Sequence, residues 1–161
     1  MGKRGQELDQ IDRKLLNALQ RDCRIANVDL AELVGTSAPS CTRRVRRLRA
    51  EGYIEREIAL VNPEKAGDNL IAISEVRLNN HNRQARDQAI RLIRNIPEVM
   101  ICYNVTGDYD LMFISTLTDM ADFEARITEP LTSLPEIRSI NSYFAIKNIK
   151  FEPFLNFDEG R

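Results

Sequence analysis

Leu30-Ala31-Glu32-Leu33-Val34-Gly35-Thr36-Ser37-Ala38-Pro39-Ser40-Cys41-Thr42-Arg43-Arg44-Val45-Arg46-Arg47-Leu48-Arg49 holds two helical stretches divided by one glycine. Gly35 can take the positive φ that ends a helix. Ser37 then stands as an N-cap, with Pro39 in the first turn of the helix that follows. In that helix Cys41, Val45 and Leu48 fall at i, i+4 and i+7 and form an inward face. Steps of about 100° per residue point Arg43, Arg46 and Arg47 outward, set Ser40 and Thr42 on the flanks and leave Arg44 near the apolar edge.

Working back toward the N-terminus, a short helix is expected over residues 28–34 with Asn27 as its cap. An earlier helix over residues 9–21 carries Ile11, Leu15, Leu16, Ala18 and Leu19 on one face. Asp9 and Asp12 place hydrogen-bond acceptors and negative charge at its start. Helix, short helix, glycine turn, helix is the spacing of a helix-turn-helix. An arginine-rich helix alone is usually a solvated face. Here five arginines occupy seven residues, 43–49, of the helix that a helix-turn-helix presents to the major groove. Arginine neutralises phosphate and its planar fork reads guanine, so the partner expected is double-stranded DNA. Ser37, Ser40, Thr42, Arg43, Arg44, Arg46 and Arg47 are the candidate contacts. Beyond them, Glu51-Gly52-Tyr53-Ile54 leads into strand-like residues 54–58 and 59–61, expected to form a small wing whose Arg56 meets phosphate.

Residues 1–61 therefore read as a DNA-binding domain. Residues 62–69, polar and punctuated by Pro63 and Gly67, read as a hinge, and residues 70–161 as a second domain. Within it, residues 70–78, 99–106, 111–117 and 137–151 are strand-like. Ala85, Ala89, Leu92, Ile93 and Ile96 form one helical face; Met120, Phe123 and Ile127, continuing to Leu131 and Leu134, form another. The order β-α-β-β-α-β is ferredoxin-like, and the whole chain is α+β. A faint repeat agrees: Ile96-Pro97-Glu98-Val99 returns as Leu134-Pro135-Glu136-Ile137, each time joining a helix to a strand. Residues 140–149 carry apolar side chains on both faces, so the sheet face without helices is expected to pack on another subunit, giving a homodimer.

The bulk numbers narrow the class. Of 161 residues, 43% are hydrophobic and the formal net charge is −1. That charge is uneven: residues 1–58 hold 12 Lys and Arg against 9 Asp and Glu, whereas residues 59–161 hold 11 against 15. Only the first domain is suited to a polyanion. No apolar run is long enough to span a membrane and residues 1–10 contain no apolar signal stretch, which points to the cytoplasm. Cys23, Cys41 and Cys102 fit neither a disulfide framework nor a metal site. His81, the single histidine, reads as a loop residue, and no nucleophile, nucleotide loop or cofactor motif is present, so no catalytic residue, metal or cofactor is expected.

Read together, Leu8-Asp9-Gln10-Ile11-Asp12-Arg13-Lys14-Leu15-Leu16, Asp22-Cys23-Arg24-Ile25, Leu30-Ala31-Glu32-Leu33-Val34-Gly35, Arg43-Arg44-Val45-Arg46-Arg47-Leu48 and Gly52-Tyr53-Ile54 resemble the leucine-responsive/asparagine-regulator (Lrp/AsnC, feast/famine) family. Val105-Thr106-Gly107-Asp108-Tyr109-Asp110-Leu111 and Leu134-Pro135-Glu136-Ile137 continue the likeness, which spans residues 8–150. The resemblance implies a winged helix-turn-helix, a ferredoxin-like ligand and assembly domain, dimers joined into larger discs, commonly octamers, and a small amino acid effector. It also implies an effector site at Gly107, Asp108, Tyr109 and Asp110, with Tyr103 and a neighbouring subunit's Thr132 and Ser133 as further candidates. The physics fits: a glycine turn exposes N–H groups to an α-carboxylate, and Asp108 or Asp110 can accept from an α-ammonium. Gly-Asp is equally ordinary turn chemistry. Pro130 departs from the family pattern and is expected to kink or restart the second helix of this domain. Two other readings are a ligand-independent architectural DNA-binding protein and an enzyme like the sirohaem decarboxylases, for which a chain with only His81 is poorly equipped.

Overall fold

The computed structural model describes residues 7–67, 70–79 and 83–157. His81 and the hinge residues Asp68 and Asn69 lie outside them. The chain forms two compact units, Met1–Ala59 with Lys150–Arg161, and Leu60–Ile149.

The first unit is built on α1 (Gln10–Arg21), α2 (Asn27–Val34) and α3 (Ala38–Ala50). Asp9 caps α1 in a reciprocal capping box: its carboxylate accepts from Asp12 N, while Asp12 accepts from Asp9 N. Helix α2 starts one residue earlier than expected, with Ala26 rather than Asn27 at the N-cap. It ends at Gly35, whose φ of +76° lets its N–H and that of Thr36 reach the carbonyls left over by α2. Cys41, Val45 and Leu48 are buried against Leu15, Leu16, Leu19, Leu30, Ala31 and Val34. Full burial of a leucine such as Leu15, Leu30 or Leu48 stabilises by about 1.5–3 kcal/mol before the entropy of ordering it.

The expected wing strands do not form within this chain. Residues 55–62 form neither helix nor strand, and Ile58, Leu60 and Val61 are exposed, Val61 at 74%. A lone two-stranded ribbon with no apolar face to bury is marginal in water, so strand propensity alone does not hold it. Among the described hinge residues, Pro63–Ala66 form a helical turn, α4.

The second unit is β1 (Leu70–Leu78), α5 (Arg83–Arg94), β2 (Val99–Asn104), β3 (Leu111–Leu117), α6 (Met120–Phe123), a π-helical turn (Glu124–Thr128), α7 (Glu129–Thr132) and β4 (Ile137–Phe144). The strands pair antiparallel in the order β2-β3-β1-β4, the ferredoxin-like βαββαβ arrangement. Alternation along β1 and β3 sends Ala72, Ser74, Val76, Leu78, Leu111, Phe113, Ser115 and Leu117 to the buried face. There they meet Ala89 and Ile93 of α5, and Phe123, Ile127 and Leu131. Ile71, Ile73, Met112 and Ile114 alternate to the other face and are only half-buried. The last strand stops at Phe144 rather than at residue 151, because Ala145 N–H makes its final bond to Ile71 O and β1 begins at Leu70. At Pro130 the helix restarts. The π turn before it lets Glu129 N–H reach back to Glu124 O, and the helix resumes with a proline in its first turn, where no N–H is needed.

Residues 150–157 belong with the first unit. Gln20 Nε2 donates to Leu155 O at 2.9 Å, Leu155 N donates to Gln20 Oε1 at 2.7 Å, and Phe157 N donates to Asn17 Oδ1 at 3.1 Å. The Phe157 ring packs on the α1–α3 core.

Candidate functional site

The candidate DNA face is the outer side of α3. Thr42, Arg43 and Arg46 are exposed there, Ser37 is exposed at the cap and Ser40 is half-buried. Thr42 Oγ1 donates to Ala38 O, so that hydroxyl is shared with the helix backbone. Arg56 is exposed on the segment after α3, and Arg49 of α3 binds Glu57. Among the described residues, Arg43, Arg46 and Arg56 make no ion pair.

Arg44 and Arg47 behave differently. Asp12 is completely buried, and Arg44 Nη1 meets its Oδ1 at 2.9 Å while Arg47 Nη2 meets its Oδ2 at 2.5 Å. Arg44 also reaches Asp9 at 2.6 Å. Arg47 therefore turns inward, with only 24% of its side chain exposed, where its helical angle pointed it outward. The reason is reach: a buried carboxylate without a cation is costly, and a three-carbon stem carries the guanidinium around the helix to supply one. Hydrogen bonds from Arg44 to Asp9 and Asp12 raise the Arg44 pKa. Burial pushes the Asp9 carboxyl up, but the Asp12 N–H and Arg44 outweigh it, and the net shift is downward.

The candidate ligand turn joins β2 to β3. Gly107 has φ +124°, a conformation that favours glycine. Asp108 is exposed and its carboxylate has no partner among the described residues. Asp110 is only 8% exposed; its Oδ2 accepts from Leu78 N at 2.9 Å and its N–H donates to Val76 O. Of the two aspartates considered for an ammonium group, Asp110 is thus committed to β1. Tyr109 is half-buried, with its hydroxyl accepting from Asn141 Nδ2 at 2.9 Å. Tyr103 is 61% exposed on β2. Thr132 and Ser133 lie at the end of α7, their hydroxyls donating to Thr128 O and Pro130 O, and no hydrogen bond joins them to the turn.

Beside the β2–β3 hairpin, an open cleft of about 340 Å³ is lined by Ile90, Ile93 and Arg94 of α5 and by Val99 to Cys102, Asn104 and Leu111. Burial raises the Cys102 thiol pKa. The cleft is not legible in the sequence. Arg94 and Asn104 look like ordinary surface residues until the edge strand β2 is set against α5. No group of His, Cys, Asp or Glu able to hold a metal occurs among the described residues.

Both units match known family models: the Lrp/AsnC ligand binding domain over residues 71–154, and a winged helix-turn-helix DNA-binding domain over residues 8–55. The chain belongs to the Lrp/AsnC family. It is 34% identical over 146 residues to the leucine-responsive regulatory protein of Escherichia coli, covering 91% of this chain and 89% of that one. Among solved structures, a transcriptional regulator from Neisseria meningitidis in complex with L-Met superposes with a TM-score of 0.88 at 32% identity, over 94% of this chain and 98% of that chain. An AsnC family regulator from Agrobacterium tumefaciens gives 0.86 at 31% identity, over 92% and 96%. This Lrp/AsnC protein is a transcription regulator with a DNA-binding unit and a ligand-binding unit, in a family of regulators rather than enzymes.

Proposed function

We propose that this Lrp/AsnC regulator reads a DNA site with Arg43 and Arg46, with Arg56 on phosphate, and that a small amino acid bound at residues 107–110 changes its DNA binding or assembly. The observation that carries the DNA assignment is the division of the arginines on α3. Arg44 and Arg47 are held by Asp12, which leaves the guanidinium groups of Arg43 and Arg46 exposed for phosphate or guanine. For the effector, Asp108 offers an exposed carboxylate to an α-ammonium beside the N–H groups of a glycine turn. The L-Met complex of the related Neisseria regulator supports an amino acid of that kind. The half-buried apolar row Ile71, Ile73, Met112 and Ile114 supports a homodimer formed through the outer sheet face; a cytoplasmic location and further assembly to an octamer complete the proposal.

The test is fluorescence anisotropy of the protein on its own upstream DNA against unrelated DNA at about 0.15 M salt, where surface charge is partly screened. The expected result is a preference for upstream DNA that shifts on adding L-methionine or another small amino acid. Equal binding to both DNAs with no amino acid effect would favour an architectural role.

A further inference from the structure

We infer that Arg77 of β1 and Asn141 of β4 are positioning residues for the ligand turn, bracketing Asp108 and Tyr109 so that the effector meets a preset surface; this rests on the effector site proposed above. Hydrogen bonds already anchor the base of the turn: Val105 N to Asp110 O at 3.0 Å, Asp110 N to Val76 O at 2.9 Å, and Leu78 N to the Asp110 carboxylate at 2.9 Å. Those bonds leave residues 107–109 beyond the ladder, next to a glycine at φ +124°. Arg77 acts on that outer part. Its Nε donates to Asp108 O at 2.8 Å, fixing the peptide plane that follows Asp108, and its guanidinium carbon lies 5.3 Å from the centre of the Tyr109 ring. Asn141 holds the other end of the same tyrosine through its hydroxyl at 2.9 Å.

Two side chains from two other strands thus converge on two consecutive residues of one hairpin turn. A hairpin needs only its own turn chemistry to close, so the fold itself does not call for this bracket. A ligand that must find several N–H groups and one carboxylate in a fixed relation binds more weakly when the loop carrying them has to be ordered first. Arg77 and Asn141 remove that cost before the effector arrives. The Asp108 carboxylate stays unpartnered among the described residues while its own carbonyl is pinned.

The test uses the full-length protein and Arg77→Met, Asn141→Ala and Arg77→Lys variants. L-methionine affinity is read by calorimetry, DNA affinity without amino acid by anisotropy, and exchange of the residue 107–110 amides by NMR. Arg77→Met should weaken L-methionine binding about tenfold, Asn141→Ala less, and Arg77→Lys should recover part of the loss by keeping a cation over the ring. DNA affinity and melting temperature should stay at the wild-type values, which a merely structural role would not allow. Wild-type L-methionine affinity in Arg77→Met overturns the inference. Should the wild-type protein bind none of the twenty amino acids, the effector reading fails separately. The exchange data then decide the bracket: faster exchange at residues 107–110 in Arg77→Met supports it, and unchanged exchange overturns it.

Discussion

Asp12 of α1 and Arg47 of α3 meet at 2.5 Å across the helix-turn-helix, with the carboxylate wholly out of water. The contact ties α3 to the helix behind it, and on the DNA face proposed above it takes a guanidinium away from the duplex. Changes at the two kinds of arginine should therefore separate. Arg47→Ala leaves a buried carboxylate with one cation fewer and should cost about 1–3 kcal/mol of stability, seen as a lower melting temperature. Arg43→Ala and Arg46→Ala should leave melting unchanged and weaken DNA binding by about 1–3 kcal/mol where the contact is bidentate to a base, with relaxed sequence choice. Equal loss of stability in all three would remove the division.

The Asp9 carboxyl makes the same junction sensitive to acid. Its pKa is lowered in the folded protein from an ordinary value of 3.8, because the Asp12 N–H and Arg44 favour the charged form over the opposing effect of burial. A depressed folded pKa contributes stability above the unfolded value, and that contribution is lost as pH falls through the folded value. Asp9→Asn keeps a capping side chain but removes the charge. The stability gap between wild type and Asp9→Asn, from urea midpoints between pH 7 and pH 3, should be constant above about pH 5 and shrink below 3.8. A gap that does not change with pH would show that the charge on Asp9 adds nothing.

Asp108 and Asp110 are two residues apart and should respond in opposite ways. Asp110→Asn weakens the buried bond from Leu78 N and should lower stability by about 1–3 kcal/mol, measured by denaturant unfolding. Asp108→Asn removes an exposed charge, should leave stability unchanged and should blunt the response of DNA binding to amino acid. If Asp108→Asn responds like wild type, the ammonium contact lies elsewhere.

Elements that bury one face are legible in the sequence, because burial follows a period. Cys41, Val45 and Leu48 on α3, and Ala85, Ala89 and Ile93 on α5, could be placed by angle alone. Where strands end was less legible. Ile146, Ile149 and Phe151 continue the apolar composition of β4, yet β1 begins at Leu70 and offers no further partner, so those side chains are exposed. Residues 54–61 have strand composition and no ladder, since a lone two-stranded ribbon is marginal in water. Arg47 could not be placed from its angle on the helix. Its direction is set by a buried carboxylate 35 residues earlier, and no period connects the two. Arg77 and Asn141 are illegible for the same reason, since each is an ordinary polar residue on the outer side of a strand until the turn is brought against it.

The segment that composition assigned to the ligand-binding unit, residues 150–157, yields the last prediction. The Leu155 backbone exchanges two hydrogen bonds with the Gln20 side chain, and Phe157 adds its ring to the core formed by α1, α2 and α3. Removing a partly buried aromatic ring forfeits dispersion and burial, so Phe157→Ala should destabilise the DNA-binding unit by about 1–3 kcal/mol. Amide exchange localises the effect: α1 and α3 should exchange faster in the variant, while β1 and β3 keep their wild-type rates. Gln20→Ala should act in the same direction but less, because its two bonds are exposed to water. Unchanged exchange in α1 for both variants would mean that the tail rests on the unit without holding it together.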